Sequence, residues 1–371
     1  MAVPLLDLRA QFDAIRDEVI PCLLSVVERQ QFIMGDEVGK LEQALAGLSQ
    51  TRHAIACASG TDALLLSLKV LDLRPGDEVV TSPFTFFATA GAIWNAGGKP
   101  VFVDIDRDTF NLDVAQVEAA ITPRTRAIVP VDLFGQMAPM ERLMRLAEQH
   151  GLGVIEDAAQ AIGARRRVNG AWRVAGELGT TGAFSFFPSK NLGAWGDGGL
   201  IVTQDAALAE RLRRLRTHGG AKQYHHDEIG TNSRLDTLQA AVLLAKLPHL
   251  AAWSEGRRQR AARYDEALAG VDGVRTPFVD PDNQHIYHQY TVRAQRRDEL
   301  KAHLGKRSIG CAVYYPIPLH LQPCFHHLGY RQGQFPQAEC AAREVLSLPV
   351  YPELPDALQD QVVDAVRSFY A

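Results

Sequence analysis

The sequence predicts an α/β fold in which a mostly parallel β-sheet is followed by a smaller α+β domain. Its 371 residues, 46% of them hydrophobic, can bury a large core and are enough for two domains. Between residues 53 and about 203, apolar runs of strand length alternate with amphipathic stretches of helix length, which is typical of a parallel sheet covered by helices on both faces. After residue 203 the pattern becomes mainly helical.

The predicted sheet has seven strands. In chain order they are 53–58, 78–82, 100–105, 126–133, 153–157, 182–187 and 199–203. Ligands of such sheets bind outside the carboxyl ends of the strands. The residues that directly follow each strand are therefore the first candidates for a functional site.

A break at Pro248 predicts the boundary between the two domains. The preceding segment, 233–247, has apolar residues at helical spacing, and proline interrupts a helix. We therefore expect a large domain over residues 1–248 and a small domain over residues 249–371. The elements predicted in the small domain are a long helix over about 250–269, strands over 286–294 and 311–317, and helices near 297–304, 336–346 and 355–369.

Charge and composition argue against several classes of protein. The formal net charge is −4 and is not concentrated in a block, so neither nucleic acid nor an anionic membrane is an expected partner. The five cysteines show no C-x-x-C spacing, which favours a reducing compartment. The charged first residues do not resemble a signal peptide, and no apolar run is long enough to span a membrane. We expect a cytoplasmic protein.

Lys190 lies in the stretch FSFFPSKNLGAWGDGGLI (184–201), close to two apolar runs that are predicted strands. Most lysines on loops are simply exposed to solvent. A lysine in a partly buried pocket has a lowered pKa and can form a Schiff base with a carbonyl compound. Lys190 alone does not decide between these interpretations.

Two segments that follow predicted strands offer complementary groups. SGTDAL (59–64) opens a helix, and its free backbone N–H groups can bind a phosphate, although for this motif alone an ordinary capped helix is the favoured interpretation. IEDAAQ (155–160) ends a strand with Glu156 and Asp157, which alternation directs to opposite faces of the sheet. One of the two carboxylates can enter a site, and a salt bridge to a structural arginine is the alternative.

Two further segments carry aromatic and polar side chains. TFFATA (85–90) offers Phe86 and Phe87. One of them can stack on a flat ring, and the alternative is that both are core residues. GTNSRLD (230–236) offers Asn232, Ser233 and Arg234 for polar contacts, although helix capping alone would explain Asn232 or Ser233.

Taken together, these groups fit pyridoxal 5'-phosphate (PLP). This cofactor requires a lysine for the Schiff base, a carboxylate beside its pyridine nitrogen, a group that stacks on its ring and a phosphate cradle at a helix start. The corresponding residues are Lys190, Asp157, Phe86 and the pair Gly60 and Thr61.

The sequence resembles the nucleotide-sugar aminotransferases of the DegT/DnrJ/EryC1/StrS family nearly from end to end. The motifs that carry the resemblance are DLRAQ, GTDAL, PFTFFATA, EDAAQA, SFFPSKNLG, WGDGG, NSRLDTLQAA and YYPIPLH. The resemblance implies the aspartate aminotransferase fold (PLP fold type I). It also implies a homodimer with shared active sites, and transfer of an amino group from L-glutamate, which leaves 2-oxoglutarate, to a UDP- or dTDP-linked keto sugar.

The resemblance also implies roles for individual residues. Lys190 matches the Schiff-base lysine that moves the proton, and Asp157 matches the partner of the pyridine nitrogen. Phe86 matches the stacking residue, and Gln160 lies where the family has a side chain near the cofactor's phenolic oxygen. The implied phosphate ligands are Gly60, Thr61, Ser185 and, from the other subunit, Asn232.

The substrate is expected to be a UDP-linked 3-keto uronic acid, because the segment around Arg234 resembles that of aminotransferases acting on UDP-linked 3-keto-N-acetylglucosaminuronate in O-antigen assembly. A guanidinium can hold both oxygens of a carboxylate, so we expect Arg234 to bind the C6 carboxylate; an arginine that caps its own loop is the alternative. The other residues expected near the substrate are Tyr314, Tyr315, His320, His225 and His226.

Other functions are less compatible with the sequence. Related sugar dehydratases usually replace the Schiff-base lysine by histidine, whereas Lys190 is present. A sensor that binds the cofactor without turnover has no need of the complete set of lysine, aspartate and phosphate ligands. The histidines and cysteines fit no zinc spacing, so no metal is expected, and GDGG lacks the spacing of a dinucleotide-binding loop.

Overall fold

The computed structural model describes residues 2–222 and 224–371. Its strands are β1 (His53–Cys57), β2 (Glu78–Thr81), β3 (Lys99–Phe102), β4 (Thr125–Val129), β5 (Gly153–Asp157), β6 (Arg165–Val168), β7 (Ala171–Val174), β8 (Thr181–Ser185), β9 (Gly199–Thr203), β10 (Val274–Arg275), β11 (Asn283–Gln284), β12 (Tyr290–Ala294) and β13 (Val345–Leu348).

The α-helices of the described residues alternate with the strands only from β1 to β5. They are α1 (Leu8–Arg29), α2 (Asp36–Leu48), α3 (Gly60–Lys69), α4 (Ala88–Asn95), α5 (Val114–Ala120), α6 (Met140–His150), α7 (Ala206–Leu215), α8 (Thr237–Lys246), α9 (Leu250–Leu268), α10 (Arg297–Lys306), α11 (Pro336–Glu344) and α12 (Asp356–Tyr370).

The predicted sheet of seven strands is confirmed within the described residues. Its order is β1-β9-β8-β5-β4-β2-β3, and β9 runs antiparallel to both of its neighbours while the remaining pairs are parallel. The strand interiors are buried on both faces by helices, which explains why their sequences are continuous apolar runs rather than alternating ones. Because all strands except β9 point the same way, the segments that follow β1, β2, β5 and β8 meet at one edge.

The second core contains β10, β12 and β13, covered by parts of α9, α10 and α12. Two sequence predictions are wrong here. The expected strand over 311–317 is reduced to a single bridge between Ala312 and Ser347, in a segment where Pro316 and Pro318 lack the N–H needed for a ladder. The expected helix over 336–346 ends at Glu344, and the apolar run Val345–Leu348 pairs with β12 as a strand.

The chain start packs on this second core rather than on the large sheet. Val3 is buried in it, pairs with Ile309, and its N–H donates to the Ser308 carbonyl at 2.9 Å. The long helix α9 contacts both parts, since Trp253 packs with α1 and α8 while Tyr264 lies in the second core. Across the described residues, the helices lack the combination of length and apolar composition that a membrane span requires.

Candidate active site

Lys190 and Asp157 form the centre of the candidate site at the carboxyl edge of the sheet. Asp157 ends β5 and is 4% exposed, while Lys190 is partly buried on the loop after β8. Burial lowers the pKa of Lys190 to about 8, and the nearby Asp157 carboxylate acts in the opposite direction. A larger fraction of this amine is therefore neutral and nucleophilic near neutral pH than for an exposed lysine.

Thr89 holds the Asp157 carboxylate from the start of α4. Its Oγ1 donates to Asp157 Oδ2 at 2.8 Å and is itself 3.1 Å from Thr85 Oγ1. Burial raises the pKa of Asp157, whereas the hydrogen bonds from Thr89 and from the Ala159 N–H, and the charge of Lys190, lower it. Sequence analysis missed Thr89, although its place in TFFATA, directly after β2, was a usable signal.

A second buried lysine, Lys246, shows that a lowered pKa alone does not identify the reactive amine. Burial also lowers the pKa of Lys246 to about 8. Its Nζ donates to the Gly193 carbonyl at 2.7 Å, so it fastens the end of α8 to the loop that carries Lys190. Lys190 is distinguished by its position beside Asp157 at the edge of the sheet.

The start of α3 lies against Ser185 and forms a small cradle. Ser59 caps the helix, with its Oγ accepting from the Asp62 N–H at 3.1 Å. A Cβ added at Gly60 would lie 2.6 Å from Ser185 Cβ, so only glycine allows this approach. Thr61 is exposed in the first turn. The free N–H groups of this helix start, together with the hydroxyls of Thr61 and Ser185, can bind a phosphate.

An aromatic cluster adjoins the site. Phe86 is 57% exposed, and its ring centroid lies 6.2 Å from that of Tyr315. Gln160 Nε2 donates to the Tyr315 hydroxyl at 3.0 Å, and Gln160 Oε1 accepts from the Phe134 N–H at 2.8 Å. Phe87 stacks on Phe325 instead, with centroids 5.7 Å apart. Phe86 therefore retains a free face on which a flat ring can stack.

The asparagine and arginine segment is attached to the start of α3. Ser233 is fully buried, and its Oγ donates to Asp62 Oδ2 at 2.6 Å. Its two neighbours differ from it: Asn232 is exposed and Arg234 is partly buried, with an Nε that has no hydrogen-bond partner within the described chain. The predicted helix over 233–247 begins only at Thr237, which leaves these residues extended.

The other residues expected near the substrate are scattered. Tyr314 lies beside Tyr315, with ring centroids 5.8 Å apart. His225 and His226 are exposed on the loop between Thr217 and Asn232. His320 has no exposed surface, and its Nε2 lies 3.1 Å from Glu339 Oε1, so its ring is not open to a ligand in this chain.

Two buried residues beside Lys190 were not found by sequence analysis. Asn191 donates to the Ile286 carbonyl at 3.1 Å, and its Oδ1 lies 3.2 Å from His288 Nδ1. Burial and the charge of Lys190 lower the pKa of His288, so its ring is neutral at neutral pH. The pair fastens the lysine loop to the segment that leads into β12, a tertiary contact without a local sequence signal.

These features fit PLP. This cofactor requires a lysine of lowered pKa, a buried carboxylate that accepts a hydrogen bond, an aromatic ring with a free face and a cradle that a Cβ would fill. With a mostly parallel seven-stranded sheet among the described residues, they define a PLP-dependent enzyme of the aspartate aminotransferase fold.

Comparison with known proteins identifies the family. A model of the DegT/DnrJ/EryC1/StrS aminotransferase family matches residues 13–367. The chain is 48% identical over 366 residues to the UDP-N-acetyl-3-dehydro-alpha-D-glucosamine 3-aminotransferase of Acidithiobacillus ferrooxidans, covering 99% of this chain and 97% of the relative. It is 43% identical over 355 residues to the UDP-2-acetamido-2-deoxy-3-oxo-D-glucuronate aminotransferase of Pseudomonas aeruginosa, covering 96% and 97%.

A solved structure supports the same conclusion. DesV of S. venezuelae, crystallised in complex with a ketimine intermediate, matches with a TM-score of 0.96 and 45% identity over 100% of this chain and 98% of that one. The chain belongs to the DegT/DnrJ/EryC1/StrS aminotransferase family. It is an aminotransferase, and its cofactor is PLP.

Gly60→Ala tests the cradle. The added methyl group must displace Ser185, and overpacking of this kind costs about 1–3 kcal/mol. We expect the free energy of unfolding to fall by that amount, measured by denaturant titration, and PLP to be lost faster during dialysis. Gly39→Ala is the control, because nothing lies within 4 Å of a Cβ at this exposed position of α2; it should gain about 0.5–1 kcal/mol. Unaltered PLP retention in Gly60→Ala would contradict the phosphate cradle.

Proposed function

We propose that the protein transfers an amino group from L-glutamate to the keto group of a UDP-linked 3-keto sugar. The observation that carries the proposal is the placement of Lys190 beside Asp157, at the same sheet edge as the cradle formed by Gly60 and Ser185. A reaction of this kind supplies amino sugars for cell-surface polysaccharides such as O-antigen.

In this proposal each residue has a defined role. Bound PLP supplies an electron sink for the carbon that loses its proton. The Asp157 carboxylate would keep the pyridine nitrogen of bound PLP protonated, and Thr89 fixes the orientation of that carboxylate. Lys190 would hold the cofactor and, when its amine is free, would move the proton with Nζ as general acid and base; an amine of lowered pKa is suited to both directions. Phe86 would stack on the ring of bound PLP, and Gln160 orients the Tyr315 hydroxyl through its hydrogen bond.

We further propose a homodimer in which Asn232 completes the phosphate site of the partner subunit. Asn232 is exposed while its neighbour Ser233 is buried against Asp62. The asparagine side chain is therefore accessible to a second subunit. The preceding loop exposes two apolar side chains, Tyr224 and Ile229, each to 90%. In the proposed dimer a second copy of the chain would cover them.

For the acceptor, we propose a UDP-linked 3-keto uronic acid whose carboxylate binds Arg234, with Tyr314 and Tyr315 beside the sugar. The unpartnered Nε of Arg234 supports this assignment, because a buried guanidinium atom without a partner is costly. The Pseudomonas aeruginosa relative is named for such a substrate. The name of the Acidithiobacillus ferrooxidans relative favours a second candidate, the neutral UDP-linked 3-keto-N-acetylglucosamine.

Borohydride reduction tests the identity of the reactive lysine. In the PLP-loaded enzyme it should fix the cofactor irreversibly on Lys190, which peptide mass spectrometry will show, and glutamate added beforehand should reduce the labelling. Lys246 is the matched control. Its pKa is also lowered to about 8, but its amine is hydrogen-bonded to the Gly193 carbonyl. Lys190→Ala should abolish turnover. Label on Lys246, or full activity of Lys190→Ala, would exclude the assignment.

Complementation tests the shared site. If Asn232 acts in the partner's site, a mixed dimer of Lys190→Ala and Asn232→Ala subunits contains one intact site. With random assortment about a quarter of all sites are then intact, so co-expression should restore roughly that share of wild-type activity. A mixture of Lys190→Ala with Asp157→Ala is the control and should restore none, because both residues belong to the same chain's site. Equal outcomes in the two mixtures, or an active monomer, would contradict the proposal.

Arg234→Ala tests the acceptor. Loss of one charge-assisted bidentate contact costs about 2 kcal/mol, which is roughly a 30-fold decrease in kcat/KM. We expect this decrease with the uronate. The half-reaction with glutamate, monitored by stopped-flow absorbance, should be unchanged. Arg234→Lys should recover activity only in part, because an ammonium lacks the planar fork. If the unaltered enzyme uses the uronate and the neutral 3-keto sugar equally well, Arg234 does not select a carboxylate.

A further inference from the structure

Two carboxyl groups, those of Asp132 and Glu156, lie against each other behind the active-site face of β5. Both side chains are 0% exposed. One oxygen of each accepts a backbone hydrogen bond: Asp132 Oδ1 from Ala138 N at 2.7 Å, and Glu156 Oε1 from Gly176 N at 2.6 Å. The remaining oxygens, Asp132 Oδ2 and Glu156 Oε2, have no hydrogen-bond donor within the described chain, and each carboxyl group lies close enough to act on the pKa of the other.

Two neighbouring buried carboxyl groups, each with an oxygen that no donor reaches, can satisfy these oxygens by sharing a proton. Carboxylate oxygens only accept hydrogen bonds, so two carboxyl groups can bond to each other only if one of them carries a proton. The charged groups that act most strongly on the pair are also acidic: Glu177, which is bonded to Arg173, and Asp157. Lys190 acts on Asp157, on the opposite side of the strand. The arginine partner considered for Glu156 from the sequence is absent from its contacts in the described residues.

The pair is joined to the backbone of Asp157. The Asp132 N–H donates to the Asp157 carbonyl at 3.0 Å, and the Asp157 N–H donates to the Pro130 carbonyl at 2.9 Å. Through Ala138 and Gly176 the same two carboxyl groups also hold the loop after β4 and the turn after β7. The position of the Asp157 side chain therefore depends on these loops remaining in register with β5.

We infer that Asp132 and Glu156 share a single proton at neutral pH and act as positioning residues for Asp157. Sharing one proton satisfies both facing oxygens and leaves one negative charge behind β5 instead of two. The significance of the position rests on the proposed role of Asp157, but the shared proton itself does not depend on that role or on the identity of the sugar.

The shared proton makes stability depend on pH in a defined direction. Burial, followed by the neighbouring Glu156, raises the pKa of Asp132 well above its ordinary range, and burial raises the pKa of Glu156 to about 7. The unfolded chain loses these protons at lower pH, so the folded state binds more protons in the interval between. Stability contributed by the pair is therefore highest in acid and decreases as pH rises to about 7.

Asp132→Asn tests this inference. The amide keeps an oxygen for Ala138 N and places an N–H donor opposite Glu156, so the hydrogen bond no longer requires a proton. With the PLP-loaded protein, we expect the melting temperature of the variant minus that of the wild type to rise between about pH 5 and about pH 8, and the variant to be the more stable at the upper end. Glu156→Gln makes the reciprocal replacement and should behave in the same way, which keeps the test open if one variant folds poorly.

Asp104→Asn is the matched control. Asp104 is 2% exposed, but its oxygens accept from the backbone N–H groups of Ile105, Gln337 and Ala338 rather than from a carboxyl group. In Asp104→Asn the amide nitrogen faces a backbone N–H, which is also a donor. The variant should therefore be less stable than the wild type, and the difference between their melting temperatures should not rise with pH. The inference would be overturned if, for both Asp132→Asn and Glu156→Gln, the difference in melting temperature from the wild type did not change with pH.

Infrared spectroscopy and PLP retention provide independent measurements. The wild type should show a protonated carboxylic acid band at neutral pH that is lost in Asp132→Asn and in Glu156→Gln; absence of this band from the wild type would also overturn the inference. Asp132→Ala leaves Glu156 without a partner and should release PLP faster than Asp132→Asn, whereas equal release would contradict the positioning role. If the borohydride experiment fails while the infrared band is present, the proposed function is wrong and the shared proton stands.

Discussion

The burial of Asp157 at the end of β5 is the constraint on which the rest of the site depends. A desolvated carboxylate is costly unless it is hydrogen-bonded or paired, and here Thr89 Oγ1 and the Ala159 N–H satisfy it from the site side. The Lys190 charge lies near enough to lower its pKa. The start of α4, the end of β5 and the lysine loop therefore meet around one buried charge.

The site also requires backbone segments to approach each other closely. Glycine allows this at two neighbouring positions, Gly60 and Gly199. A Cβ at Gly60 would strike Ser185, and a Cβ at Gly199 would lie 2.2 Å from the Ser59 carbonyl. The antiparallel strand β9 lies between β1 and β8 and thus brings the start of α3 next to the end of β8. The close approach of Gly60 to Ser185, which we propose as the phosphate cradle, is a consequence of this strand order together with the absence of two side chains.

Sequence patterns were sufficient where a feature is local. The seven apolar runs, the lysine loop and the change to helical periodicity each lie within a few adjacent residues, so the main sheet and the positions of Lys190, Asp157 and Phe86 at its edge could be predicted. The segment 311–317 was misread because its apolar and aromatic residues resemble a strand while its prolines prevent a ladder. The region Val345–Leu348 was misread because it directly continues a helical pattern, and only pairing with β12 makes it a strand.

By itself, the sequence determined the fold class, the family and the set of groups available to a cofactor, because hydrophobic period, glycine placement and motif order are written in consecutive residues. Only the tertiary structure decided which groups meet. It put Thr89 on Asp157, Asn191 on His288 and Asp132 on Glu156, and it buried His320 against Glu339. These pairs join residues that are 19 to 97 positions apart, and their geometry follows from the packing of strands and loops that no local pattern encodes.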